Sequence, residues 1–562
     1  MHGREPKVPT RTQALIFDAK VRALRVRRTL QNVARPVRSL AIARVPADHV
    51  LASSITPLWT ESHADEQRQQ LGKVHNLRLV CRAIDGLRLE PGEVFSFWRQ
   101  VGRPSHRHGF VPGRQIQEGC IIPAIGGGIC QLSNALYSCA LDAGCEIVER
   151  HPHTRALSAS SPSFGKDATV AWNHIDLRFR TRVPIGIEAR LTQDNLEVRF
   201  VSESPADAPQ VRRMPRIIQS AASCETCGQG SCHRHGAVDR SPLAPLTAYV
   251  VNRVWPEFAT YLRANRATSD PIFAPLDGHK RNRLQFAWAN EGEIDEAVLL
   301  YLQRGLRCRG LSGGELRRAT MDFEAGLAER AGRRMPFDVR HVVVSMSLLP
   351  HLWRGGWLGG RSFDVLADRL PIDEIQSLLD AAFARNPERA LLADFRASED
   401  VALAEAEALA DANRIITPNA YTARLFGKRT LMLPWAVPPK VACERGGYLA
   451  FAGPTAARKG AFEVREAARR LGLTVVLSGS ELEGEGFWSG IEVVRSKSLD
   501  GCFAIVQPAI VEDQPRKLLE ALAAGVPVIA TEVCGLGGVE GVITVQEGDV
   551  DGLVAAIESV RS

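Results

Sequence analysis

The chain has 562 residues, room for roughly three or four domains of about 150 residues each. With 45% hydrophobic and 24% charged residues it has the composition of a soluble globular protein, and no stretch approaches the roughly 20 apolar residues of a membrane span. The net charge of +7 is modest for this length and gives no reason to expect nucleic acid as a partner. No apolar signal core stands near the start, so the expectation is a cytoplasmic protein whose 12 cysteines are thiols, metal ligands or a nucleophile rather than disulfides.

Residues 1–70 read as a basic, mainly helical extension. Between Thr12 and Leu40 the apolar residues Ala14, Leu15, Phe17, Val21, Leu24, Val26, Leu30, Val33, Val37 and Leu40 interleave with Arg22, Arg25, Arg27 and Arg28. Two readings stand: a basic amphipathic helix on an anionic membrane, peripheral to its inner face, or a helix packed on its own protein with its arginines in water.

Residues 71–205 form the next module. Asn76-Leu-Arg-Leu starts a helix, Pro91-Gly-Glu-Val-Phe-Ser-Phe-Trp98 turns into a strand, and Gly126-Gly-Gly-Ile-Cys130-Gln-Leu-Ser-Asn134 runs from a sharp turn into a helix. The three glycines let backbone approach a ligand, and Cys130 falls at a helix N-terminus, where unpaired N–H groups and the dipole favour a thiolate. His151, His153 and Asp167 follow. Cysteine, then histidine, then acid is the chain order of several thiol hydrolases and transferases, so these are candidates for nucleophile, base and orienting group. The bland alternative is a cysteine packed under the glycine turn. These motifs, in this order, resemble the VanW family of bacterial proteins; the resemblance identifies the module without assigning its chemistry.

Ser202 to Pro215 and Ser241 to Pro245 read as linkers. Between them, within 206–240, lie Cys224-Glu-Thr-Cys227 and Cys232-His-Arg-His235. Cys224, Cys227, Cys232 and His235 can close a tetrahedron around structural zinc, or hold an iron-sulfur cluster, as a staple at a module junction.

Residues 241–440 show helical spacings at Leu246 to Asn265, Gly292 to Leu306, Glu315 to Arg330 and Ala402 to Ala412, with strand-like runs at His341 to Leu348, Arg414 to Thr417 and Thr430 to Leu433. Gly355-Gly356 and Gly359-Gly360 around Trp357 are the one candidate for a glycine-rich acceptor loop, with a plain surface turn as the alternative.

Pro434 to Arg445 reads as a hinge into residues 441–562. Short apolar runs at Tyr448 to Ala452, Leu473 to Leu477, Ile491 to Val494, Cys502 to Val506, Val526 to Ala530 and Val542 to Val545 alternate with helical patterns, the rhythm of a parallel sheet. Gly453-Pro-Thr-Ala-Ala-Arg458-Lys459-Gly460 brings two cations to a helix start beyond the first strand, a place suited to phosphate. Glu512 and Glu520 stand eight positions apart, with Pro515 in the first turn of a helix that carries Arg516 and Lys517.

This last segment resembles the C-terminal lobe of retaining GT-B glycosyltransferases, in which a Glu-x7-Glu element and a following Ala-Gly-x-Pro-Val strand start grip a nucleotide sugar. The resemblance implies that Glu520 binds ribose, Glu512 faces the sugar and Lys459 holds the diphosphate, with Gly453, Arg458, Arg516 and Lys517 nearby. Pro454, Thr455 and Asp513 depart from the family's usual residues, so the phosphate role rests more on Lys459 than on Arg458.

The expected architecture is multidomain α/β: an α+β VanW-like module, a Cys/His knuckle, then a GT-B-like pair of Rossmann-type lobes with a helical insertion in the first. The leading functional reading is a bacterial glycosyltransferase taking a nucleotide-sugar donor, with the acceptor left open by the sequence and a cell-envelope precursor as one candidate. The alternatives are a thiol-dependent acyl or amide hydrolase or transferase centred on Cys130, and a non-enzymatic nucleotide-binding scaffold.

Overall fold

A computed structural model describes residues 10–43, 49–59, 67–117, 120–152, 167–203, 210–213, 222–223, 232, 243, 245–275, 294–394, 396–439 and 443–561. They fall into two units, one of Met1–Leu246, Met335–Arg340 and Gly355–Ser362, the other of Thr247–Arg334, His341–Arg354 and Phe363–Ser562.

In the first unit, helix α1 (Arg11–Ala34) opens on a capping box in which Thr10 and Gln13 satisfy each other's backbone N–H. It docks through polar groups. Arg28 pairs with Glu149, Arg25 Nε donates to the Trp172 carbonyl at 3.3 Å, and Arg178 donates to Asn32 Oδ1 at 2.9 Å. Leu15, Ile16, Val26, Leu30 and Val33 are exposed on another side. The helix therefore packs on its own protein, as one reading expects, but with two arginines turned inward and apolar residues outward. The physical reason is the half-buried Glu149, whose charge needs a partner.

Strands β1 (His49–Pro57), β2 (Leu87–Leu89), β8 (Ile185–Leu191), β9 (Asn195–Ser202) and β10 (Gln210–Arg213) form a sheet in the order β10-β1-β9-β8-β2. Two small sheets flank it, β3 (Val94–Ser96) and β6 (Glu146–Glu149) on either side of β7 (Arg178–Arg180), and β4 (Pro112–Gln117) and β11 (Ala222–Ser223) on either side of β5 (Cys120–Ile125). Helices α2 (Gln67–Ile84) and α4 (Cys130–Asp142), with the short α3 (Phe97–Val101), complete the unit. Leu77, Val80, Leu132, Leu136, Ile187, Val198 and Phe200 meet in its core.

Helix α2 starts nine residues before Asn76, so Asn76 is an interior residue rather than a helix start. Its amide donates to the carbonyls of Val111 and Gly127 at 2.9 and 3.0 Å and accepts from Val111 N at 3.1 Å. The glycine run is pressed against this helix. A Cβ on Gly128, whose φ is +95°, would lie 2.1 Å from the Lys73 side chain, and one on Gly127 would lie 2.2 Å from the Gly113 carbonyl oxygen. Close packing, of Gly128 on α2 and of Gly127 on β4, rather than an open ligand loop, accounts for these two glycines.

The second unit carries two doubly wound lobes. The first has β12 (Leu246–Val250), β13 (Ile272–Ala274), β14 (Ile294–Glu296), β15 (Val339–Ser345), β16 (Ser362–Leu366), β17 (Arg414–Thr417) and β18 (Thr430–Met432), in the order β14-β13-β12-β15-β16-β17-β18. Its helices are α5 (Pro256–Asn265), the inserted pair α6 (Val298–Arg307) and α7 (Gly313–Arg334), then α8 (Leu349–Arg354), α9 (Ile372–Arg385), α10 (Glu399–Asp411) and α11 (Ala420–Phe426). The stretch at 246–265 resolves into a strand and then a helix, because Trp255-Pro256 restarts the chain with Pro256 in the first turn.

The second lobe has β19 (Tyr448–Phe451), β20 (Val475–Leu477), β21 (Val493–Arg495), β22 (Cys502–Gln507), β23 (Val528–Thr531) and β24 (Val542–Val545), all parallel, in the order β21-β20-β19-β22-β23-β24. Helices α12 (Ala461–Leu471), α13 (Arg516–Ala523) and α14 (Val550–Arg561) cover it. Each apolar run read from the sequence overlaps one of these strands, three of which run one residue further, to Arg495, Gln507 and Thr531. The chain order reverses between β19 and β22, which opens a crevice at the carboxyl ends of those strands.

Candidate active site

The crevice is built by the turns after β19 and β22. Gly453 follows β19, and a Cβ there would lie 3.1 Å from the Lys459 side chain, so a larger residue would crowd the lysine. Lys459 crosses to the second turn. Its Nζ donates to the Val511 carbonyl at 2.8 Å and pairs with Glu512 Oε2 at 3.0 Å. The Gln507 amide, at the end of β22, donates to the same carboxylate oxygen, and Glu512 Oε1 accepts from Gln514 N at 2.9 Å. Glu512 is thereby fixed by a cation, an amide and a backbone N–H, while the Arg458 carbonyl ties the turns together by accepting from Ile510 N at 3.0 Å.

Helix α13 begins at Arg516 with Pro515 as its cap, so Glu512 lies just before it and Glu520 within it. The three charged residues on this helix are already engaged in different ways. Lys517 Nζ pairs with the exposed Glu520 at 2.6 Å and donates to the Lys497 carbonyl. Arg516 does not stand free for a phosphate. It grips Glu257 of the first lobe through both nitrogens, at 2.8 and 2.5 Å, beside the rings of Trp255 and Trp435.

The opposite wall comes from the first lobe, and sequence reading misses it. At the ends of β12, β15 and β16, Asn252 Nδ2 donates to Glu324 Oε1 at 3.1 Å and to Ser347 Oγ at 3.3 Å, and Ser347 Oγ donates to Asp368 Oδ2 at 3.0 Å. Burial raises the pKa of both Glu324 and Asp368. Asp513, next to Glu512, accepts from Leu370 N at 2.9 Å; burial pushes its pKa up, against the pull of Lys459 and of Arg369. Arg369 itself is held by buried Glu405, at 3.0 Å and closer. These residues are far apart in sequence and share no motif. The one available signal is that Asn252, Ser347 and Asp368 each stand two residues past an apolar strand.

The glycine-rich acceptor-loop candidate lies elsewhere. Gly355–Ser362 belongs to the first unit, where Trp357 is buried and Arg82 stacks over it at 3.7 Å. Arg78 Nε donates to the Gly359 carbonyl at 2.9 Å, and a Cβ on Gly360 would lie 2.3 Å from Val74. The glycines serve this close packing on α2.

Around Cys130, at the first residue of α4, the described neighbours are the Thr169 hydroxyl at 3.6 Å and the Val170 carbonyl at 3.7 Å. His151 faces Glu149 at 3.3 Å and gives its carbonyl to Thr169 N. Asp167 accepts from Arg150 Nε through its backbone carbonyl at 2.6 Å. His153 lies outside the described residues, as do Cys224, Cys227 and His235 of the knuckle, of which Cys232 alone is described. Among the described residues no group of three or more His, Cys, Asp or Glu could hold a metal ion.

Residues 72–201 match the family described as VanW like protein, and residues 486–562 match Glycosyl transferases group 1. The chain thus joins a VanW-like domain to a C-terminal group 1 glycosyltransferase domain. It is 34% identical over 144 residues to the uncharacterized protein YoaR of Bacillus subtilis (strain 168), covering 25% of this chain and 46% of that protein. It is 29% identical over 153 residues to the vancomycin B-type resistance protein VanW of Enterococcus faecalis (strain ATCC 700802 / V583), covering 27% of this chain and 56% of that protein. The chain therefore spans about half the length of the curated relatives it matches.

Solved structures similar to it include the lipopolysaccharide outer core galactosyltransferase WaaB, at 13% identity and TM-score 0.33, covering 56% of this chain and 90% of that one. Anabaena HepE in complex with UDP and glucose matches at 12% identity and TM-score 0.33, covering 56% and 89%. The fold class rests on the two sheet orders rather than on these distant likenesses.

Proposed function

We propose that the second unit is a retaining glycosyltransferase that takes a nucleotide-sugar donor into the crevice between its lobes. The observation that carries this reading is the Lys459–Glu512 pair, fixed at the ends of the two central strands where the sheet order reverses. Lys459, with Arg458 beside it, neutralises the diphosphate as it leaves. A preorganised cation at developing charge is a large contribution to rate. Glu520 takes the ribose hydroxyls after Lys517 turns from it, and Glu512 faces the sugar. Asp368, Ser347 and Asn252 receive the acceptor's hydroxyl groups. Arg516 holds the two lobes in register.

The test is calorimetry of the full chain with UDP-, GDP- and ADP-sugars, repeated with Glu520→Ala and Lys459→Ala. Micromolar binding to one nucleotide class, lost in both variants, is the expected result; no binding to any donor sinks the reading.

Around this core the proposed organisation is a VanW-like module over 71–205, a structural metal knuckle at 206–240 and transferase lobes over 241–440 and 441–562. Metal analysis of the purified chain, with Cys224→Ser as the control, checks the knuckle. The acceptor is a cell-envelope precursor, and α1, with its exposed apolar side and basic flanks, rests on the inner membrane face. Among the described residues no helix is long and apolar enough to cross a membrane, so any such contact is peripheral.

A second reading, thiol chemistry at Cys130, keeps one favourable observation: the sulfur stands at a helix start beside a hydroxyl.

A further inference from the structure

Helix α6, in the insertion of the first lobe, has two opposed faces. On one, a Cβ added to Gly326 of α7 would meet Leu300 at 3.5 Å, and Arg304 stacks over Phe323 at 5.4 Å, so this side is seated on α7. On the other, Leu299, Leu302 and Leu306 recur at positions i, i+3 and i+7 and are 76%, 57% and 75% exposed. Three leucines in a row, each more than half in water, on a helix of ten residues, form a stripe that the described residues of this unit leave unburied.

Charge indicates what covers it. Between Val298 and Arg318 the chain carries Arg304, Arg307, Arg309, Arg317 and Arg318 against the single acid Glu315. Arg307 lies on α6 itself, and Arg309 in the turn that follows it. Arg317 meets Glu324 at 4.0 Å and Arg304 lies against α7, which leaves the exposed Arg307 and Arg309, with no carboxylate partner among the described residues, beside the leucine ridge; that pairing matches a surface with an apolar interior and an anionic skin. A protein groove complementary to it would have to bury those arginines against its own carboxylates, whereas a bilayer lets their stems lie flat and their guanidinium groups reach the headgroup level.

We propose that α6 is an interfacial helix that seats the first lobe on an anionic lipid bilayer. The leucines enter the acyl boundary to the depth of one helix face, and Arg307 and Arg309 meet the phosphates. This inference stands on the helix alone and does not depend on the transferase reading or on α1. Its failure leaves donor binding untouched.

The experiment is co-sedimentation of the full chain with phosphatidylglycerol/phosphatidylcholine vesicles and with phosphatidylcholine vesicles, at low and high salt. Leu302→Gln/Leu306→Gln and Arg307→Gln/Arg309→Gln are compared with Leu30→Gln/Val33→Gln in α1 and with Leu403→Gln, an exposed leucine on another helix. All these positions are at the surface, and calorimetry with UDP on each preparation reports on the donor site separately.

The expected result is binding to the anionic vesicles that weakens with salt and falls at least 5-fold in both α6 variants, with Leu403→Gln unchanged. Equal binding to the two vesicle types, no binding by the native chain, or loss confined to the α1 variant overturns the proposal. So does an α6 variant that changes the oligomeric state instead of lipid binding, which would make a second copy the occupant.

Discussion

Arg516, at the start of α13, clasps both carboxylate oxygens of Glu257 across the two lobes of the second unit, and the Glu257 side chain is wholly buried. Glu257 also accepts from Ala436 N at 2.7 Å, so one carboxylate fixes the segment after β18, the first lobe and α13 together. Removing the arginine leaves a buried charge without its partner. Arg516→Ala is expected to lower the stability of this unit by about 3–5 kcal/mol in urea denaturation, and Arg516→Lys to recover little of it because a lysine cannot make the two parallel bonds. A loss below about 1 kcal/mol would show that the clasp is incidental.

Lys459 and Arg458 are adjacent but differently placed. Lys459 reaches the Glu512 carboxylate, and Arg458 enters the turn contacts through its carbonyl. Lys459→Ala should weaken nucleotide-sugar binding by about tenfold or more, since it removes a charge-assisted contact, while Arg458→Ala should change it less, because it keeps the backbone carbonyl that accepts from Ile510 N. The reverse ranking in calorimetry would move the diphosphate away from Lys459.

Asp368 and Ser347 lie across the crevice from the donor groups, on the first lobe. Asp368→Asn and Ser347→Ala should reduce sugar transfer by about 10- to 100-fold at unchanged affinity for the nucleotide. A parallel loss of nucleotide binding would assign these residues to the donor instead.

Lys73, pressed beneath Gly128 and donating to the Leu58 carbonyl, is pushed down from 10.5 to about 7 by burial and, secondarily, by Arg114. Between those values the unfolded chain keeps the proton and the folded chain sheds it. Lys73 therefore costs stability fully below about pH 7, and that cost fades as pH rises toward 10. The free energy of unfolding of Lys73→Met, relative to the native chain, should fall by up to about 4 kcal/mol from pH 7 to pH 10, at about 1.4 kcal/mol per unit. A flat difference across that range would mean that the ammonium stays charged when folded.

Cys130 provides the separation between the two chemistries. Cys130→Ala should leave sugar transfer within about twofold of the native rate, because the half-buried thiol belongs to the first unit and the crevice to the second. Abolished turnover in Cys130→Ala, with nucleotide binding intact, would favour the thiol reading.

The sequence by itself determined the two parallel-sheet lobes, down to the six strands of the second. Strand and helix periods are local properties, and Gly453, Lys459, Glu512 and Glu520 sit at fixed offsets from those strands. The tertiary structure decided which charges are free. Arg516 reads as a phosphate cation along the chain and proves to be spent on Glu257, 259 positions away. The glycines at 126–128 and 355–360 read as ligand loops, yet several of them press backbone against α2. The arginines of α1 read as facing either an anionic membrane or water, and two of them turn inward toward Glu149 and the Trp172 carbonyl. In each case the partner is distant in sequence, and local pattern fixes where a side chain stands on its own element but carries no information about what will arrive opposite it.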